Sequence, residues 1–174
     1  MQRLSAVVLR LEKALAGALT FAILVLVGLG SVARGMGAPQ VWTDELAVHL
    51  MVMLAFIAAS MGVALQNHMA MGLMPESLGP RGWRVLARVN QGLILGFMAL
   101  MTLLTWVWLD IPGLIAAGSG EALAESSFNF AWTDPTLTLG LRKIWFWLVI
   151  PASVLSGMLH VLAQIFAPLP ETAV

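Results

Sequence analysis

The residues with most chemical potential cluster in one short stretch, QVWTDELAVHL, residues 40–50. Asp44 and Glu45 are adjacent carboxylates, and His49 follows Glu45 by four residues, one turn along a helix. A carboxylate and an imidazole so spaced can share a proton or hold a metal. His68 and His160 supply two more imidazoles, and two opposed histidines can ligate haem iron. Cysteine is absent, which excludes disulfides, zinc ribbons and thiolate iron–sulfur sites. What these groups can do depends on the elements that place them.

Those elements are apolar. Of 174 residues, 60% are hydrophobic and only 10% charged, and mean hydropathy is +0.91. A water-facing domain needs about a quarter of its residues charged, so lipid must solvate most of this chain. Four stretches reach the ~20 apolar residues a bilayer-crossing helix requires. They run about 14–32, 46–65, 89–109 and 144–166, and none contains Asp, Glu, Lys or Arg. Unpaired backbone is too costly in hydrocarbon for an open sheet. The expected fold is therefore an all-α integral membrane protein with four transmembrane helices, forming a single domain over residues 1–174.

Charge placement orients the helices. Arg3, Arg10, Lys13, Arg81, Arg84 and Arg88 flank one side, against Arg34, Arg142 and Lys143 on the other. The excess marks the cytoplasmic face and puts both termini there. The outer side holds Asp44, Glu45, Asp110, Glu121, Glu125 and Asp134, and zero net charge argues against a nucleic-acid partner. The basic start and a cleavage-like SVA imitate a signal peptide, but the apolar run exceeds the ~7–15 residues of one. Within residues 1–13 and just beyond, Leu4, Val7, Val8, Leu11 and Leu15 share a helical face opposite Arg3, Arg10 and Lys13. That pattern predicts an amphipathic interfacial segment with its basic side toward lipid phosphates. The alternative is an extension of the first span, and the two can be one bent helix. A long outer loop, 110–141, is a contact element or a flexible tether. Within it, TDPT offers Asp134 as an N-cap, with Pro135 at the first position of a helix leading into the fourth span.

Depth then weighs the candidate chemistry. Asp44 and Glu45 open the second span, where the helix dipole favours acids and Trp42 suits the headgroup level. They read as a boundary anchor and cap, or as a contact with a partner subunit, rather than as a proton relay. His49 and His160 differ in depth by roughly 20 Å at 1.5 Å per residue and cannot share an iron. His68 lies in the polar QNH exit of the second span, near water. Solute routes usually reveal themselves through intramembrane charge or broken helices. Here the spans carry only uncharged polar groups, His49 about one turn inside the second and His160 deep in the fourth, and Pro151 suggests a kink. Small residues at four-residue spacing, Gly92 with Gly96 and Ala55 with Ala59, favour helix packing, as do pairs in the fourth span. Whether these faces close on each other or dock another protein is open. No cofactor or metal site is expected in this chain.

The sequence resembles the small membrane subunit (DctQ family) of tripartite ATP-independent periplasmic transporters over most of its length. VWTDELAVHLMVMLAFIAASMGVALQNHMAMGLM matches the family's Trp-x-x-Glu entry to the second span and its later histidine through Trp42, Glu45 and His68. LTLGLRKIWFWLVIP supplies Leu139, Gly140 and Pro151, although Arg142 stands where the family often has proline. The resemblance implies a bacterial inner-membrane scaffold for a large (DctM-like) membrane subunit that carries sodium and substrate sites. It also implies a periplasmic substrate-binding protein (DctP-like) that delivers an organic anion or related solute. It makes Trp42, Asp44, Glu45, His68 and Pro151 interface or partner contacts. Asp110, Glu121, Glu125 and Asp134 are candidate contacts for the periplasmic protein. Two alternatives to this reading are a membrane anchor or electron-transfer subunit of a respiratory enzyme, and a self-sufficient small transporter.

Overall fold

A computed structural model describes residues 1–65 and 80–166, excluding the side chains of Pro80 and Trp83. His68 lies outside the described residues. Among the described residues seven helices follow in order: α1 (Gln2–Gly35), α2 (Val41–Leu65), α3 (Pro80–Leu109), α4 (Ile111–Ala117), α5 (Gly120–Ser127), α6 (Ile144–Trp147) and α7 (Val149–Ile165). Four helical stretches are long and apolar enough to cross a membrane: Gln2–Gly35, Val41–Leu65, Arg84–Ala117 and Ile144–Ile165. The break between α6 and α7 falls at Leu148, three residues before Pro151. Proline has no N–H to bond the carbonyl four residues earlier, Trp147, so the helix tightens there.

Residues 1–13 and the first apolar run form one helix. At about 1.5 Å per residue its 34 residues extend roughly 50 Å, against a hydrocarbon core of roughly 30 Å. Its inward stripe is Ser5, Val8, Glu12, Ala16, Leu19, Leu26 and Gly30, at helical spacing, whereas Leu4, Val7, Leu11 and Leu15 are exposed. The start of α1 thus leaves both its leucine face and its basic face (Arg3, Arg10 and Lys13) exposed and turns inward the strip between them that carries Ser5 and Glu12. In lipid an apolar side chain gains little by turning inward, while a polar one gains hydrogen bonds.

Helices α1, α2 and α7 pack mutually, and α3 lies against α7. Gly30 admits the close approach of α1 to α2, since a Cβ there would meet Thr43 Oγ1 at 2.9 Å. One core cluster joins Leu19, Ile57 and Val149, and a second joins Val63, Met98, Val154 and Val161. Within α7, Ser153 and Gly157 are buried, and Met98 of α3 fills the space that glycine leaves. Gly92 and Gly96 on α3, and Ala55 and Ala59 on α2, face outward, away from the other helices of this chain.

The 110–141 connection is a folded cap. Asp110 ends α3 in a left-handed conformation (φ 41°) and caps α4 by accepting from the Gly113 N–H. Trp132 Nε1 donates to the Leu109 carbonyl at 2.7 Å, and Asn129 Nδ2 to the Trp108 carbonyl at 2.9 Å, which satisfies the end of α3. The expected helix start at Asp134–Pro135 is not found. Pro135 pairs with Arg142 in an isolated antiparallel bridge, Gly140 turns the chain at φ 67°, and the next helix begins at Ile144. The Asp134 carboxylate takes Lys143 Nζ at 2.8 Å instead of capping a helix, and its carbonyl accepts the Lys143 N–H.

Candidate functional site

Two sets of polar side chains hold the bundle, one at each end. At the acidic end, the turn between α1 and α2 is closed by Arg34, whose Nη1 lies 2.8 and 3.1 Å from the two Asp44 oxygens. Trp42 is partly exposed at the start of α2 and donates to Gln40 Oε1. Glu45 reaches across to the cap, where its oxygens accept from the Leu137 N–H (2.5 Å), the Thr138 N–H (2.6 Å) and the Thr138 hydroxyl (2.5 Å). A carboxylate with several such donors is well held. His49 stacks on Phe146 with centroids 4.5 Å apart and approaches Glu45 at 3.9 Å.

The remaining acids at this end have local work as well. Glu121 pairs with Arg142 at 2.8 Å and Asp134 with Lys143 at 2.8 Å. All three cations at this end, Arg34, Arg142 and Lys143, are thus matched to carboxylates, leaving Glu45, Asp110 and Glu125 as the acid excess. Of those, Glu125 alone makes no hydrogen bond or ion pair among the described residues. Trp42, Asp44, Glu45 and His49 therefore each engage neighbouring side chains or backbone of this chain.

The opposite, basic end holds a feature the sequence reading passed over. Ser5 Oγ lies 2.7 Å from His160 Nδ1, and His160 Nε2 lies 3.1 Å from Glu12 Oε2. Ser156 donates to Glu12 Oε1 at 2.7 Å and meets Ser60 Oγ at 2.7 Å. Five side chains from α1, α2 and α7 thus form one continuous array. His160 is 0% exposed, Ser60 1% and Glu12 8%. The expectation of a helical body free of Asp, Glu, Lys and Arg is corrected here, because Glu12 is buried within it. Glu12 lies two residues before the apolar run yet inside the helix and the bundle. It stands 22 residues from Arg34, roughly 33 Å along α1, so the array lies at the end of the bundle opposite the acidic one. Both His160 nitrogens are engaged, and His49 stands at the other end. A sequence signal existed: Ser5 and Glu12 are seven residues apart on the face that also carries Ala16 and Leu19.

Arg3, Arg10, Lys13, Arg81 and Arg84 are exposed at this same end. Arg88 does more than face the interface. Its Nη1 donates to the Ile165 carbonyl at 2.8 Å, capping α7 where the helix leaves carbonyls unpaired, and to Gln91 Oε1 at 3.1 Å. Gln164 similarly donates to the Val63 carbonyl at 2.6 Å, near the end of α2.

Every buried side-chain nitrogen and oxygen among the described residues has a hydrogen-bond partner. Among those residues no group of three or more His, Cys, Asp or Glu gathers as a metal site. No curated protein and no solved structure matches the chain. A family model does match, that of the DctQ component of tripartite ATP-independent periplasmic transporters, over residues 23–171. The match takes in α2, α3, the folded cap and α7, and agrees with a multi-pass helical membrane protein. The chain belongs to the DctQ family, a family of transporter components and not of enzymes.

Proposed function

We propose that this small permease subunit is a scaffold that seats a large membrane subunit in the bacterial inner membrane. The large subunit carries the sodium and substrate sites, and a periplasmic substrate-binding protein delivers an organic anion or related solute. The observation that carries the reading is the satisfaction of the buried polar side-chain groups among the described residues. A conducting path needs groups left available to a solute, and here they are committed to one another. The outward-facing Ala55, Ala59, Gly92 and Gly96 support it too, because small residues allow a neighbouring helix to approach closely. The acid excess at the cap gives the binding protein a sign of charge to orient against. Sodium belongs to the large subunit, and this chain needs no cofactor of its own.

Reconstitution tests the proposal. Vesicles containing this chain, its large partner and the binding protein should accumulate solute under a sodium gradient. Vesicles containing this chain alone should not. Accumulation by the chain alone would refute a scaffold role and favour a self-sufficient transporter.

A further inference from the structure

We propose that residues 127–132 of the cap form a lipid anchor, with Phe128 and Phe130 entering the headgroup layer at the acidic end of the bundle. Their partner is the bilayer surface itself. The inference holds whichever way the chain crosses the membrane.

Depth comes first. The run of α3 without Asp, Glu, Lys or Arg, residues 89–109, is about 31 Å long at 1.5 Å per residue. A hydrocarbon core is roughly 30 Å thick, so Trp108 and Leu109 come at its edge. Asn129 and Trp132 donate to the carbonyls of those two residues, which ties the segment to the same level. Phe128 and Phe130 share a groove of about 450 Å³ with Val107, Trp108 and Trp147. Val107 is itself 65% exposed, so the groove opens beside the apolar lateral face of α3. Tryptophan concentrates at the headgroup level of membrane proteins. Six of the seven tryptophans stand at this end: Trp42, Trp106, Trp108, Trp132, Trp145 and Trp147.

The chemistry of the segment suits lipid. From Ser126 to Thr133 it carries no charged residue. Irregular chain can lie against lipid only where the protein satisfies its polar groups. Besides the two bonds to α3, Ser127 Oγ donates to the Leu123 carbonyl at 2.9 Å, and Asn129 Oδ1 accepts the Ala131 N–H at 3.0 Å. Phe128 ends α5 in a left-handed conformation, φ 57°, which bulky side chains rarely adopt. That backbone leaves its ring 81% exposed, and Phe130 is 55% exposed. In water the arrangement would combine backbone strain with apolar exposure, and contact with lipid removes the second cost. A protein interface brings a polar rim and its hydrogen bonds. The polar side chains here are already committed within the chain, and lipid asks nothing of them.

The chain has no cysteine, so single substitutions can carry a nitroxide spin label. The full chain is labelled at Phe128→Cys or Phe130→Cys and placed in vesicles of phosphatidylcholine and phosphatidylglycerol, alone and with the large subunit. Glu125→Cys supplies the water reference, and Leu24→Cys, on the exposed apolar side of α1, supplies the hydrocarbon reference. Electron paramagnetic resonance reads collisions with oxygen, which concentrates in lipid, and with a water-soluble nickel chelate. The oxygen-to-nickel ratio at both phenylalanine positions should exceed that at Glu125 several-fold, with and without the large subunit. Phe130 has a negative φ and carries the test if the strained position 128 does not tolerate substitution. A ratio as low as that at Glu125 would overturn the proposal. Loss of both kinds of collision on adding the large subunit would overturn it too, because protein would then cover the rings.

Discussion

Removing Glu12 is the most exacting perturbation of this bundle. Glu12→Ala strands His160 Nε2 at a site with no exposure and deprives Ser156 of its acceptor, although Ser156 can still turn to the Ser153 carbonyl at 3.1 Å. His160 Nε2 is then the atom left without a partner, while Nδ1 keeps Ser5. A buried polar group so stranded costs about 1–3 kcal/mol, and breaking a buried pair by removing one member costs about 3–5 kcal/mol. About 3 kcal/mol is a fair expectation, roughly a hundredfold in the folding equilibrium. Ser5→Ala also removes one partner of His160, but at a half-buried position that water or a lipid headgroup can reach, so about 1 kcal/mol or less is expected. Glu12→Met with His160→Leu removes both polar members and should recover most of the loss. Equilibrium unfolding of the four variants in bilayer discs gives the ranking. A Ser5→Ala cost equal to that of Glu12→Ala would refute the reasoning, as would a double variant as unstable as the summed singles.

At the acidic end, Glu45→Gln should speed hydrogen exchange of the Leu137 and Thr138 amides by about tenfold or more, because the carboxylate is their acceptor. Unchanged protection, read by exchange mass spectrometry, would contradict that assignment. Arg34→Ala should alter stability by less than about 1 kcal/mol, since both members of its pair with Asp44 are about half exposed. Gly157→Leu should destabilise the isolated chain, since a Cβ there already lies 3.2 Å from Met98 Sδ; Gly96→Leu should leave the isolated chain unaffected and weaken co-purification of the large subunit. Equal loss of chain stability in the two variants would remove the distinction between inner and outer small-residue faces. Neutralising Glu121, Glu125 and Asp134 together should reduce uptake most at low salt, and uptake with unchanged salt dependence would dissociate the cap charges from the binding protein.

Hydropathy made four helices legible because the length of an apolar run is itself the physical requirement for crossing lipid. The Trp42–Glu45 stretch was legible as the start of a helix for a similar reason: acids suit a helix N-terminus, and α2 begins at Val41. What escaped was partnership across the chain. Nothing local to Glu45 says that its acceptors serve residues 137 and 138, more than ninety positions away. Asp134–Pro135 had the composition of a helix start, but Lys143 competes for the carboxylate, and a long-range ion pair is invisible to a local rule. The small-residue pairs were readable as packing faces, yet only the structure separates the buried Ser153 and Gly157 from the outward Gly92 and Gly96.

The start of α1 exposes the limit of amphipathic reasoning most directly. In water, Leu4, Val7, Leu11 and Leu15 would form the buried stripe, because hiding them releases structured solvent. Beside lipid that gain disappears, and the deciding energies are those of Ser5 and Glu12, which require partners. The helix consequently turns Ser5 and Glu12 to α7 and leaves these four apolar residues outside, with Arg3, Arg10 and Lys13 exposed as well. The pattern of residues is the same under either solvent, but a neighbouring strip of the helix turns inward. A lone acid among basic residues beside an apolar run is thus a pointer to an internal partner, and a histidine buried in another helix is the natural one. The pair then joins the first helix to the last where no loop does. The acidic end is closed by the short turn of residues 36–40 and by the cap, so buried polar contacts at the basic end complete the bracing of a body whose lateral faces stay apolar.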